Sequence, residues 1–96
     1  MVVGVLQLTL YVEGSHSLKE KRGILRRIKN RVRNEFNVSI SECGDQDLWQ
    51  KTVLGICQVG TDQAYIDGAL HAVVRFIEKL HLAEVGEEAI EFLHYS

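Results

Sequence analysis

Proline is absent from the 96 residues, so no position carries the locked φ and missing amide that interrupt helices and strands. Long regular elements are therefore permitted throughout. Aromatic residues make up only 7%. A sheet that stacks bases needs aromatics on its central strands, and the first strand read below offers Tyr11 alone while the third has none. Base stacking on the strands is thereby excluded. The two cysteines, Cys43 and Cys57, are too few for a disulfide framework and are not spaced as CxxC. They are read as small buried strand hydrophobes. No apolar run approaches the ~20 residues that cross a bilayer. The opening Met1-Val2-Val3-Gly4-Val5-Leu6 lacks the basic start and small-residue cleavage site of a signal peptide, so a cytoplasmic location is expected. His16, His71, His81 and His94 show no ligand spacing such as HExxH. No metal and no cofactor is expected.

What is present fits one small α+β domain spanning residues 1–96. The net charge of −2 conceals a strong segregation. Residues 18–33 hold eight of the eleven basic residues and one acid, Glu20, giving +7; the remainder sums to −9. Such asymmetry bears on partners more than the total does.

Val2 to Val12 alternates Leu6, Leu8, Leu10 and Val12 with Gln7, Thr9 and Tyr11, the period of a half-buried strand. After a turn at Glu13-Gly14-Ser15-His16, Ser17-Leu18-Lys19-Glu20 has the form of a capping box, with Glu20 returning to the amide of Ser17. Leu18, Leu25, Ile28, Val32 and Phe36 then form a helical stripe over 17–36. Gly23 weakens that helix and is read as a point of close backbone approach. Asn37 to Cys43 reads as a second strand, Gly44 to Asp47 as a turn, and Lys51 to Val59 as a third strand. That strand is apolar on both faces: Val53, Cys57 and Val59 on one, Leu54 and Ile56 on the other. Thr61 or Asp62 caps a second helix with the stripe Ile66, Leu70, Val73, Ile77 and Leu80. Gly86 ends the helical region, and Ala89 to Tyr95 supplies the last strand.

The order is βαββαβ, the ferredoxin-like arrangement, with a four-stranded antiparallel sheet and both helices on one face. The other face carries apolar residues from the third strand, and an apolar patch of this kind commonly marks association. Homodimerisation through that face or a sheet edge is expected, unless Trp49 and the segment joining the second and third strands fold over it.

The first helix carries the functional signal. At about 100° per residue, Lys19, Arg22, Arg26, Lys29 and Arg33 share an arc of roughly 80° beside the apolar stripe. Ser17, Lys19, Lys21 and Arg22 crowd the first turn, where cations oppose the helix dipole and favour a bound phosphate or carboxylate. These seven residues are the candidate contacts for nucleic acid or another anion, with RNA or the ribosome as the partner. Two alternatives stand beside it. In the first, the basic face meets acidic residues such as Glu87, Glu88 and Glu91 of the same or a neighbouring copy in a homo-oligomeric interaction module. Alternatively, Ser15, His16, Ser17, Lys19 and Arg22 serve an enzyme acting on a small anion. No catalytic constellation supports the latter: Gly14 alone makes no phosphate cradle, and Asp45 and Asp47 suit a turn without chemistry.

Ser17-Leu18-Lys19-Glu20-Lys21-Arg22 after a Met-Val-Val-Gly-Val strand, then Phe36-Asn37-Val38-Ser39-Ile40-Ser41-Glu42 and Asp47-Leu48-Trp49-Gln50-Lys51 before Leu54-Gly55-Ile56, resemble the YlxP-like family of small bacterial proteins. The resemblance covers essentially the whole chain. It implies a ferredoxin-like fold and carries over no catalytic residues. Genes of the family often sit beside those for translation-initiation and ribosome-maturation factors, which implies a link to the ribosome or RNA by association.

Overall fold

The alternation and stripes described above generate six elements in the computed structural model, which describes residues Met1–Ser96. They are β1 (Val2–Tyr11), α1 (Leu18–Glu35), β2 (Ser39–Gly44), β3 (Lys51–Gly60), α2 (Gln63–Leu80) and β4 (Glu84–His94). The sheet is antiparallel with order β2-β3-β1-β4, so the predicted βαββαβ ferredoxin-like topology is the one found. Leu6, Leu8 and Leu10 of β1 and Leu54 and Ile56 of β3 are fully buried beneath the helices. Leu25, Ile28 and Val32 of α1 and Ile66, Leu70, Val73 and Ile77 of α2 close the core over them. Each such side chain removed from water contributes about 1.5–3 kcal/mol, which is why two separate helices are held to one face.

Two bulges redirect side chains. On β4 the pairing steps from Glu88–Leu8 to Val85–Leu10; the one extra residue lets Val85 pack on the core with Ile90 and Phe92. On β2 the step from Glu42–Leu54 to Gly44–Val53 inserts Cys43. Its sulfur approaches Gly55 so closely that a Cβ there would stand 2.7 Å from Sγ. Cys43 is exposed and Cys57 half-buried. The expectation that both cysteines are buried is thus corrected: each sits on a strand position that avoids the helix-covered face.

Other corrections concern ends and glycines. Glu20 accepts from the amide of His16 at 3.0 Å rather than from that of Ser17, while Ser17 Oγ accepts from Glu20 N at 3.1 Å as expected. Asp62, not Thr61, caps α2. That helix stops at Leu80 with His81 in the left-handed region, φ 55, so Gly86 does not end it. Gly86 lies inside β4, where a Cβ would meet the Tyr11 ring at 2.5 Å. β4 consequently begins five residues before the predicted Ala89. Gly23 has open space around it, with nothing within 4 Å of an added Cβ.

The contrast between two glycines is testable. Gly23→Ala removes backbone entropy from the unfolded chain and adds no clash, raising stability by about 0.5–1 kcal/mol. Gly4→Ala places a methyl 2.4 Å from Ile66 Cγ2 and lowers stability by about 1–3 kcal/mol. Urea midpoints of the two variants should move in opposite directions.

Candidate nucleic-acid interface

A helix that must bury one side fixes where its remaining side chains project. The buried residues of α1 are Lys21, Leu25, Ile28 and Val32. On a helical wheel Lys21 falls between Ile28 and Val32, at the centre of the apolar arc. It is 1% exposed. Its ammonium lies 3.1 Å from Glu42 Oε2 and donates to the carbonyls of Asp45 at 2.7 Å and Gln46 at 3.5 Å. Thr52 Oγ1 donates to the same Glu42 carboxylate. A buried charge is tolerable only when paired and fully hydrogen-bonded, and this one is. Lys21 therefore leaves the surface strip: its donors are consumed inside the fold. Ser17 likewise spends its hydroxyl as the helix cap, and Ser15 is buried with Oγ donating to Ser17 O at 2.9 Å.

The other candidates do come together. Lys19, Arg22, Arg26 and Arg33 are exposed and Lys29 is half-buried on one side of α1; Arg27 and Arg31 are exposed on the other. The ion pairs of the protein are Lys21–Glu42, Lys51–Asp45 and His71–Asp67. None of the seven surface cations of α1 has a carboxylate oxygen within 4.0 Å. Arg33 reaches the carbonyl of Ile40 through Nη2 at 3.0 Å, which steadies one end of the row without neutralising it. Glu87, Glu88 and Glu91 cannot serve as partners within the chain. They lie on β4 at one edge of the sheet, whereas α1 packs beside α2 and β2 towards the other.

Glu87 has a different partner, which sequence pattern alone did not show. The Tyr11 hydroxyl donates to its two carboxylate oxygens at 3.1 and 3.2 Å. That bond holds the Tyr11 phenol above its ordinary pKa, because deprotonation would forfeit the bond and set two anions together. The Glu87 carboxyl is held below its usual range, first by its backbone amide and then by Tyr11. The sequence also missed the loop between β2 and β3. Trp49 and Leu48 do not fold over the sheet; they are 54% and 48% exposed and line a groove with Tyr11 and Lys51. The sheet face opposite the helices stays uncovered, with Val59 60% and Leu93 46% exposed. No helix is long and apolar enough to cross a membrane.

A ferredoxin-like α+β protein with a cationic helix is the class these features define. The chain belongs to the family described as Protein of unknown function (DUF503), which it matches over residues 3–90. It is 43% identical over 77 residues to the uncharacterized protein YlxP of Bacillus subtilis (strain 168), covering 80% of this chain and 84% of that one. The family resemblance read from the motifs is thereby shown. Among solved structures it is similar in fold to the de novo designed protein Foldit4, with a TM-score of 0.53 and 18% identity over 99% of this chain and 98% of that one. This likeness concerns the fold alone.

Two substitutions test the buried pair. Lys21→Met strands Glu42 and should lower stability by about 3 kcal/mol. Adding Glu42→Gln to it should restore part of that loss, a coupling that denaturant titration of the two variants measures. Glu87→Gln should return the Tyr11 titration, followed by NMR of its ring, towards the ordinary tyrosine range.

Proposed function

We propose that the protein is a non-catalytic RNA-binding protein, associated with the ribosome in the cytoplasm, that holds phosphates on α1. Lys19, Arg22, Arg26, Lys29 and Arg33 supply the contacts. The carrying observation is that these cations are presented on one side of a helix with no carboxylate partner. Unpaired cations in a row repel one another and weaken the helix N-terminus by about 0.3–1 kcal/mol each in its first turn. A polyanion relieves both penalties by occupying them together. Contacts of this kind position a nucleic acid without reading its sequence. The family's genomic association with translation factors, which the resemblance implies, agrees in direction.

A homodimeric interaction module is the second reading, favoured by the uncovered sheet face on which Val59 and Leu93 are exposed. It is compatible with the first, because that face lies on the side of the sheet away from α1. Sedimentation equilibrium separates a defined dimer from a monomer.

Charge reversal tests the first reading. Lys19→Glu, Arg22→Glu and Arg26→Glu together should abolish retention of ribosomal RNA on a nitrocellulose filter while the urea midpoint stays close to that of the parent. Unchanged retention would reject phosphate binding by α1.

A further inference from the structure

The alternation that buries Leu6, Leu8 and Leu10 beneath the helices sends Val3, Val5, Thr9 and Tyr11 to the opposite side of β1. On β3 it turns Lys51, Val53, Cys57 and Val59 the same way. Strand register sets these residues in rows across the open face. Leu93, Val3 and Val59 stand in one row, and Glu91, Val5, Cys57 and Ser39 in the next. At the other end Tyr11 stands beside Lys51, with Glu87 on its hydroxyl. The face thus has an apolar end and a charged end. Its middle is level, because Cys43 Sγ lies 2.7 Å from where a Gly55 Cβ would stand and fills the space that residue leaves.

The sheet has four strands, three of them ten or eleven residues long. At ~4.8 Å between strands and ~3.4 Å per residue, its open face measures about 600 Å². Two such faces bury about 1,200 Å² together, the lower bound of a specific interface. A second copy supplies that area, and in one orientation it also matches the pattern. Sheets that pack face to face with their strands aligned to within about 30° leave two two-fold arrangements. With the axis along the strands, β1 lies over the partner's β3 and every row keeps its height. Val3 then meets the partner's Val59, Val5 the partner's Cys57, and Tyr11 the partner's Lys51. Apolar end covers apolar end, and Lys51 faces an aromatic ring and a carboxylate that both favour a cation. β2 lies over the partner's β4, which sets the basic side of α1 beside the partner's acidic edge. With the axis across the strands, Val59 would cover the partner's Lys51 and Glu91 would lie beside the partner's Glu87. That arrangement desolvates charges without partners and stacks like on like.

We propose that a second copy covers the open sheet face about a two-fold axis parallel to the strands, β1 over the partner's β3. This rests on the homodimer reading above and gives it an orientation and a register. It is independent of RNA, because the cationic side of α1 stays in water on both copies. The two basic strips then lie on opposite flanks of the dimer, each next to the other copy's β4.

Sedimentation equilibrium and native mass spectrometry of the full chain read the assembly. The unaltered protein should be a dimer that dissociates on dilution. Val59→Glu and Val3→Lys should each be monomeric where the parent is dimeric, with unchanged circular dichroism, since each sets an unpaired charge against a valine of the partner. Mixed in equal amounts, the two variants should form a heterodimer in which the new carboxylate of one copy faces the new ammonium of the other. That heterodimer should be at least about tenfold tighter than either variant alone. Cys57 reports without any substitution: iodoacetamide should alkylate it roughly tenfold more slowly in the concentrated dimer than in the diluted chain. An unaltered chain that stays monomeric at millimolar concentration would overturn the proposal and the homodimer reading together. A dimer that both variants keep, with Cys57 alkylated at one rate throughout, would put the interface elsewhere and overturn the proposal. Monomeric variants whose mixture stays monomeric would overturn the register and leave the homodimer reading standing. A Val59→Glu dimer tighter than the parent, drawn by the partner's Lys51, would set the axis across the strands and overturn the proposed orientation.

Discussion

One buried ion pair organises the functional end of this molecule. Lys21 occupies the middle of the face that α1 turns to the core, and its ammonium is enclosed by Glu42, the carbonyl of Asp45 and the hydroxyl-bearing strand beside them. An unpaired charge in that position would destabilise the fold by several kcal/mol, so the helix, the end of β2 and the following loop are tied in one relative placement. The rotation of α1 follows from it. With Lys21, Leu25, Ile28 and Val32 inward, the remaining cations have no direction but outward.

That constraint explains how a protein of net charge −2 keeps a free basic surface. Four of the thirteen acidic residues, Glu84, Glu87, Glu88 and Glu91, lie on β4, which the strand order β2-β3-β1-β4 sets at the sheet edge away from β2 and α1. Glu20 and Glu35, on α1 itself, form no ion pair with its surface cations. The same separation gives the molecule one cationic side and one acidic edge. The carboxylates along β4 also protect a long edge strand from pairing with other chains.

The fold was legible because its signals are local and periodic. The alternation of Leu6, Leu8 and Leu10, the stripes of two helices and the absence of proline specify βαββαβ with little ambiguity. Boundaries were misread where the deciding interaction is not local. β4 begins early because a bulge re-aims Val85 and brings Gly86 against Tyr11; Gly86 met in sequence resembles a helix stop. Cys43 was misplaced for the same reason, since the bulge on β2 is invisible without its partner strand. Lys21 is instructive in another way. Its position on the wheel, between Ile28 and Val32, follows from spacing alone, although its charge matches that of the lysines and arginines on the exposed strip. The groove at Trp49 had no such signal: which loop residues meet Tyr11 depends on how two strand ends converge.

The central claim is that α1 binds a polyanion by displacing counterions from several phosphates. The salt dependence of ribosomal RNA affinity for the unaltered protein measures this most directly. Five phosphate contacts predict that the logarithm of the association constant falls against the logarithm of salt concentration with a slope of about −3.5 to −4.5. A slope near zero, or no measurable affinity even at low salt, would contradict the account.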